Sequence, residues 1–159
     1  MALVAEKHHP LGKKFAVLTK EYVGVVSEQL KHLDIERYWY VIMRIAEQEN
    51  NITQKELGEL IDQDKTSMVR IIDYLSKKGY VLRKQNSEDR RAYFIELTSK
   101  AQKVLPEIKA AFELANKVAL KGINKEQLVC FEYCLNAMES NLQAMPSTKV
   151  NLNFKRTKK

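Results

Sequence analysis

The segment from residue 65 to 78 gathers polar side chains of several types on one side of a helical projection. At 3.6 residues per turn, its outer face carries Thr66, Ser67, Arg70, Asp73, Tyr74 and Lys77. Hydroxyl, guanidinium, phenol and amine groups are the types that hydrogen-bond to base edges and phosphates. The segment is therefore predicted to contact nucleic acid through this face.

A polar loop with two arginines follows at residues 85–91, between two segments that alternate apolar and polar residues. Such alternation is typical of a β-hairpin with one packed face, which would place Asp89, Arg90 and Arg91 at its tip. A helix for the major groove beside an arginine-bearing arm for the next groove is a DNA-docking arrangement. The alternative is an ordinary solvated loop, whose surface ion pair would contribute about 0 to 1 kcal/mol.

Local capping signals predict a short helix and a tight turn before this segment. Thr53 and Glu56 have the spacing of a capping box, and Asp64 suits the cap of the next helix. Gly79 suits the left-handed residue that ends that helix. The apolar residues expected on the core sides of the two helices are Leu57, Leu60, Ile61, Met68, Ile71, Ile72 and Leu75.

Two helices are predicted before the capping box. The first, over residues 11–31, has Pro10 at its first position and carries two apolar stripes. Two stripes exceed what one contact covers, which favours packing on a second subunit as well. Asp34 is predicted to cap the second helix, which continues to about residue 48.

Two further helices are predicted after the hairpin. One starts at residue 98 or 99 and contains Pro106, whose missing N–H should bend its axis. Asn124 caps the last helix, with Gln127 in the capping-box position. Its apolar seam is expected to consist of Leu128, Phe131, Leu135, Met138 and Leu142. The fold class is therefore mainly α with a small β-hairpin.

Length and charge limit the classes of function. The 159 residues suit one compact domain or a small reading head within a helical body, and the net charge of +7 favours nucleic acid or an acidic membrane surface. No apolar run approaches the roughly 20 residues of a membrane-spanning helix, and no secretory signal precedes residue 10. A cytoplasmic location is expected.

The run ITQKELGELIDQDKTSMVRIIDYLSKKGYVLRKQNSEDRRAYFIELTSKAQKVL resembles the core of the MarR family of bacterial transcription regulators. Its most specific features are the S-x-D-R-R hairpin tip and the L-T-x-K-A helix start that follows the alternating strand. A looser likeness extends from about residue 11 to residue 142. It implies a winged helix-turn-helix domain embedded in a helical dimerisation domain.

The resemblance also implies a domain organisation. Residues 11–33 and 98–144 would be dimerisation helices that interlock in a homodimer, 34–97 the winged-helix region, and 146–159 a basic flexible tail. The two heads would meet successive major grooves of a pseudo-palindromic double-stranded operator. The tail would add nonspecific attraction to phosphates or remain solvated.

Family members place the second helix of the head in the major groove and a wing arginine in the minor groove, while the wing aspartate holds the hairpin tip. Which of Arg90 and Arg91 inserts is open at this point. The expected DNA contacts are Gln54, Lys55, Lys65, Thr66, Ser67, Arg70, Tyr74, Asp89, Arg90 and Arg91.

Most MarR-like proteins are repressors released by a small molecule, often an aromatic or phenolic acid, and the resemblance implies the same here. An effector pocket would be lined by Phe15, Tyr22, Trp39, Tyr40, Met43 and Arg44. The alternative is that these residues are plain core or interface, because Tyr38, Trp39 and Tyr40 are consecutive and cannot all face one cavity.

Other classes are less well supported by the sequence. Cys130 and Cys134 lie four apart in a helical pattern and are interpreted as buried small hydrophobes rather than a disulfide or an oxidant sensor. His8, His9 and His32 lack a compact metal-ligand spacing, so no metal or cofactor is expected. No catalytic constellation points to an enzyme. A winged helix that binds an acidic protein without operator specificity remains the alternative function.

Overall fold

The computed structural model of the chain describes residues 10–49, 52–85 and 93–148. In this part of the chain the elements follow in the order α1 (Leu11–Gln29), α2 (Trp39–Glu47), β1 (Ile52–Thr53), α3 (Gln54–Leu60), α4 (Lys65–Lys77), β2 (Val81–Gln85), β3 (Tyr93–Leu97), α5 (Ser99–Ala119) and α6 (Lys125–Gln143). The predicted class, mainly α with a small antiparallel sheet, is confirmed. None of the described helices is long and apolar enough to cross a membrane.

Helix α1 occupies nearly the predicted range but leaves much of its apolar surface uncovered. Pro10 precedes the helix as its cap residue rather than serving as its first residue. Val26 is fully buried, whereas Val17 and Leu18 remain 52% and 54% exposed. The described residues thus bury only the C-terminal part of this helix.

The prediction that Asp34 caps the second helix is wrong. Helix α2 begins five residues later at Trp39, and Tyr38 before it makes no capping hydrogen bond through its side chain. The carboxylate of Asp34 instead accepts a hydrogen bond from the hydroxyl of Tyr80 at 2.8 Å. The Asp34 carboxylate thus binds Tyr80, which is distant in the chain, instead of capping a helix. Residues 30–38 form turns.

The helix-turn-helix forms from local signals. Thr53 and Glu56 form the predicted capping box of α3, and Asp64 accepts from the backbone N–H of Ser67 at the start of α4. The predicted core side of α3 is only partly correct, because Leu57 is fully buried whereas Leu60 is 39% exposed. All four predicted apolar residues of α4 are buried.

Gly79 ends α4 as predicted. Its φ of +75° is accessible to glycine without strain, and it lets the N–H of Tyr80 reach back to the carbonyl of Leu75 at 2.9 Å. The chain then enters a three-stranded antiparallel sheet in the order β1-β3-β2. Residue Arg83 of β2 lies opposite Ile95 of β3, which in turn pairs with Ile52 of β1.

The chain divides after Ala115 into two compact units. The first contains α1 to α4, the sheet and most of α5, and its core includes Ile35, Ile42, Leu57, Ile72, Leu75, Ile95 and Ile108, all fully buried. Pro106 lies inside α5, as predicted. Because the sheet and α4 bury their apolar sides in one core, the polar side of α4 faces outward.

The second unit contains the end of α5 and all of α6. Gly122 has a φ of +84°, and Asn124 with Gln127 forms the predicted capping box of α6. Between residues 116 and 148 no side chain is buried. Within the predicted seam Phe131 and Leu142 are 44% and 72% exposed. The described residues therefore cover this seam only in part.

Candidate nucleic-acid interface

The start of α4 is fixed by a double contact between its cap and its third residue. The backbone N–H of Ser67 donates to Asp64 at 2.9 Å, and the Ser67 hydroxyl donates to the same carboxylate at 2.6 Å. The Ser67 proton is therefore used within the protein, and this hydroxyl can meet an outside group only as an acceptor.

The outward side of α4 carries the expected contact residues. Thr66, Arg70 and Lys77 are exposed opposite the buried apolar residues of this helix, and Lys65 is exposed at its first residue. These side chains can offer hydrogen bonds to base edges and charge to phosphates.

Tyr74 is placed differently from its neighbours on this face. Its hydroxyl donates to the backbone carbonyl of Asp34 at 3.0 Å, and its ring meets the edge of Tyr38 at 5.2 Å between centroids. Burial, followed by the nearby acids Glu36 and Asp34, raises the pKa of Tyr74. The phenol thus holds α4 against the turn before α2.

The first turn of α3 places two further candidates. The backbone N–H of Thr53 donates to the carboxylate of Glu56 at 2.8 Å, and this bond and the Thr53 hydroxyl lower the pKa of Glu56. Next to this cap Gln54 accepts from Arg83, while Lys55 is exposed and lies 3.8 Å from Glu59.

A cleft of about 720 Å³ lies between α3, α4 and the hairpin. It brings together three of the predicted contact residues, Gln54, Lys55 and Lys65. Arg83 and Tyr93, which the sequence analysis placed only in strands, also line it. Three cationic side chains, Lys55, Lys65 and Arg83, thus line one concave surface together with Glu59.

Arg83 is the main residue that the sequence analysis missed. Its guanidinium lies 2.7 Å from the carboxylate of Asp73 on α4 and donates to Gln54 on α3 at 3.2 Å. The alternation of residues 80–83 predicted a strand, but nothing in it shows which helix the arginine reaches. The three predicted hairpin-tip contacts, Asp89, Arg90 and Arg91, lie outside the described residues.

The far end of α4 is held by a cluster around Asp34. Besides Tyr80, its carboxylate lies 3.4 Å from the ammonium of Lys100 and 3.6 Å from that of Lys78. The Tyr80 hydroxyl above all, and then Lys100 and Lys78, lower the pKa of Asp34. Lys100 also lies 4.0 Å above the Tyr80 ring.

Three of the predicted effector-pocket residues surround Phe112 of α5. Tyr22, Trp39 and Tyr40 have ring centroids 6.4, 5.3 and 6.3 Å from that of Phe112. The indole N–H of Trp39 is buried and has no hydrogen-bond acceptor among the described residues. The sequence analysis placed Phe112 in no site, because its contacts are distant along the chain.

The remaining pocket candidates lie on the same helices. Phe15 and Met43 are half-buried on α1 and α2. Arg44 pairs with Glu47 one turn later on α2, while its Nε atom is buried without an acceptor among the described residues. The cation that was expected to meet a carboxylate is therefore partly committed to Glu47.

The interpretation of both cysteines as buried is wrong for the single chain. Cys130 is exposed and Cys134 is half-buried. Burial and the neighbouring Cys130 raise the pKa of Cys134, which favours the thiol over the reactive thiolate. Among the described residues, no group of three potential ligands stands close enough together to hold a metal ion.

The helix order, the three-stranded sheet and the exposed face of α4 define a winged helix-turn-helix protein. Residues 37–93 match the model of the MarR family, so the match runs from the turn before α2 to the start of β3. The winged-helix region of the chain thus matches the MarR family, as its sequence motifs predicted. The solved structures that the chain resembles are transcriptional regulators.

Solved structures have the same fold. The chain is similar to the transcriptional regulator SlyA, with 23% identity, a TM-score of 0.77 and coverage of 84% of this chain and 94% of that one. A putative MarR family regulator from Listeria monocytogenes in complex with 26mer DNA has 24% identity, a TM-score of 0.75 and coverage of 84% and 89%. A SlyA-like regulator from the same organism has 25% identity, a TM-score of 0.75 and coverage of 86% and 90%.

Proposed function

We infer that this protein is a homodimeric repressor that binds a pseudo-palindromic double-stranded operator and is released by a small aromatic acid. The observation that carries the DNA-binding part is the exposed row of Lys65, Thr66 and Arg70 on a helix whose other side is buried. The similar regulator from Listeria monocytogenes, which was solved with DNA, supports the same use of this fold.

In the proposed complex α4 lies in the major groove. Thr66 and Arg70 contact base edges or nearby phosphates, Ser67 acts as an acceptor, and Lys65 contacts the backbone. Gln54 and Lys55 at the start of α3 contact the adjacent phosphates. This assignment follows from the exposure of Thr66 and Arg70 on α4 and from the positions of Gln54, Lys55 and Lys65 around one cleft.

The wing completes the proposed interface. Arg90 or Arg91 enters the minor groove, where a narrow groove attracts arginine, and Asp89 holds the tip. Tyr74 is assigned a lesser part, because its hydroxyl already donates to Asp34.

The dimer is proposed from uncovered apolar surface on the first and last helices. Val17 and Leu18 on α1 and Phe131 and Leu142 on α6 are each more than 40% exposed in the single chain. Exposed apolar side chains that recur along a helix in this way favour a protein interface. A symmetric pair would cover these faces and present two copies of α4 to successive turns of the duplex.

The proposed effector site is the aromatic cluster around Phe112. The rings of Tyr22, Trp39 and Tyr40 offer apolar contact, and the buried indole N–H of Trp39 offers a donor to a carboxylate or phenol oxygen. An effector there would lie between α1, α2 and α5, which carry these rings, and would shift α2 and the head relative to the dimer helices.

A salt titration of duplex binding tests the DNA-binding proposal. If several phosphates are neutralised, the affinity of the purified protein for a duplex selected from a randomised library should fall steeply as salt rises. Arg70→Ala should weaken this binding by roughly 1 to 3 kcal/mol, whereas joint replacement of Arg90 and Arg91 should weaken it with less effect on base preference.

The matched control is Lys109→Ala, which removes one exposed positive charge on α5. It should leave the affinity nearly unchanged. Absence of any duplex binding at low salt would contradict the proposal and would favour a module that binds an acidic protein. Unchanged affinity in both sets of arginine variants would remove the roles assigned to α4 and the wing.

A further inference from the structure

One acid stands in the middle of the cationic face of α4. Asp73 is exposed and follows Arg70 by three residues, so the two side chains lie on the same side of the helix. A carboxylate at such a place repels phosphate oxygens and should oppose the proposed DNA contact. An acid at this position therefore indicates a structural role within the protein.

The partner of Asp73 comes from the hairpin. The Nη2 atom of Arg83 on β2 lies 2.7 Å from the Asp73 carboxylate and donates to the side-chain oxygen of Gln54 at 3.2 Å. One nitrogen with two N–H groups thus connects three elements: β2, the outer face of α4 and the first residue of α3.

We propose that Arg83 is a positioning residue that fixes the hairpin relative to α4 through Asp73 and so determines how strongly the head prefers one DNA sequence. The inference rests on the proposed function. Strand β2 pairs with β3 from Val81 to Gln85, so an arginine fixed at position 83 constrains both strands of the wing. If the wing and α4 enter neighbouring grooves, their relative angle determines which contacts form together.

This role and direct contact with DNA have opposite consequences for Asp73. If Arg83 binds phosphate by itself, removal of the acid removes repulsion, and Asp73→Asn should bind DNA as tightly as the wild type or more tightly. If Arg83 acts through Asp73, the same change releases the hairpin and binding to the preferred sequence should weaken, despite the more positive charge.

The experiment measures binding of the full chain to two duplexes: the tightest one recovered by selection from a randomised library, and a scrambled duplex of the same composition. Asp73→Asn is expected to weaken binding to the selected duplex by roughly fivefold, without weakening binding to the scrambled one. The preference between the two duplexes should therefore fall, which a mere loss of folded protein would not produce.

A double-mutant cycle tests whether Arg83 and Asp73 act through each other or contact DNA independently. Arg83→Gln and Asp73→Asn together should lose no more preference than either variant alone, and the dependence of affinity on salt should keep its slope. Arg83→Lys retains the charge but cannot hold two acceptors from one planar nitrogen, so it should behave like Arg83→Gln. Asp62→Asn, in the exposed turn between α3 and α4, removes the same charge and should keep the full preference.

If the wild type binds the selected duplex and Asp73→Asn binds it with unchanged or higher affinity, this inference is overturned, whereas the proposed function stands. Additive losses in the cycle would also overturn it, since they would indicate separate contacts with DNA. If the wild type binds no duplex at low salt, the proposed function fails, and this inference fails with it.

Discussion

Asp34 shows how one residue can join elements that are far apart in the chain. Its carboxylate accepts from the hydroxyl of Tyr80 and lies near Lys78 and Lys100, and its backbone carbonyl accepts from Tyr74. These partners come from the end of α4, the start of β2 and the first turn of α5. A single acid therefore connects α4, the helix proposed to contact DNA, to α5.

Tyr80 should make the folded state sensitive to alkaline pH. Burial, and then the hydrogen bond to Asp34, raise its pKa far above the ordinary value for tyrosine. The folded state therefore holds this proton more tightly than the unfolded state does. The free energy of unfolding should be retained below about pH 10, the ordinary tyrosine pKa, and should fall as pH rises beyond it.

Chemical unfolding of the wild type and Tyr80→Phe at neutral and alkaline pH checks this expectation. The free energy of unfolding of the variant should be about 1 to 2 kcal/mol lower at neutral pH, because the hydrogen bond to a charged acceptor is gone. Above pH 10 it should fall further by less than that of the wild type. Tyr133→Phe, at a side chain that is 74% exposed, is the matched control and should follow the wild type. Identical alkaline losses in wild type and Tyr80→Phe would contradict the assignment.

The same residues show what sequence alone could not give. The prediction that Asp34 caps a helix used a local rule, but its carboxylate meets partners 46 and 66 residues away. The pairing of Arg83 with Asp73 and the rings around Phe112 are likewise products of packing between elements. By contrast, the exposure of Thr66 and Arg70 followed from helical periodicity, because only their own helix had to be known.

At the scale of elements, the predicted helix caps at Thr53, Asp64 and Asn124 are confirmed, whereas the one at Asp34 is wrong. Thr53 with Glu56, Asp64 with Ser67, and Asn124 with Gln127 all make the expected contacts. Each cap acts within three residues, so its geometry follows from the helix itself. Strand β1 was missed because its two residues give no alternation, and it exists only by pairing with β3. Tertiary pairing decides such short strands.

The capping box of α3 should contribute measurably to stability. Thr53→Ala removes the hydroxyl that accepts from the backbone N–H of Glu56 at 3.2 Å and is expected to cost about 1 kcal/mol. Thr66→Ala is the matched control, since Thr66 is exposed within α4 and alanine has the higher helix propensity. Urea midpoints of the two variants provide the comparison. Equal losses of stability in Thr66→Ala and Thr53→Ala would show that the capping box contributes nothing to stability.

At the scale of the whole molecule, charge and apolar surface point to two different partners. The net charge of +7 includes the exposed lysines and arginine around the cleft of the head. Most of the apolar side chains that are more than half exposed, in contrast, lie on α1, α5 and α6. Polar and cationic groups suit DNA, and apolar helices suit a second copy of the chain, so DNA binding and self-association should respond to different substitutions.

Self-association should depend on the seam of α6. Phe131 is 44% exposed in the single chain, and a symmetric interface would use it twice. Phe131→Asp should therefore weaken the dimer by on the order of 1 to 3 kcal/mol, because the interface can bury only the exposed part of each ring. In sedimentation equilibrium the wild type should have twice the mass of the 18.5 kDa chain, whereas the variant should dissociate at the same concentration.

Glu132→Ala is the matched control on the next residue, which is also exposed, and it should remain dimeric. Because two linked heads bind with a higher effective concentration than one, Phe131→Asp should also lose most of its affinity for the selected duplex, although α4 is unchanged. A drop in helix content together with the drop in mass would mean that the partner is needed for folding as well, as obligate dimers require. A wild type that stays monomeric at micromolar concentration and still binds DNA tightly would contradict the dimer, because the apolar seam would then have to serve another partner.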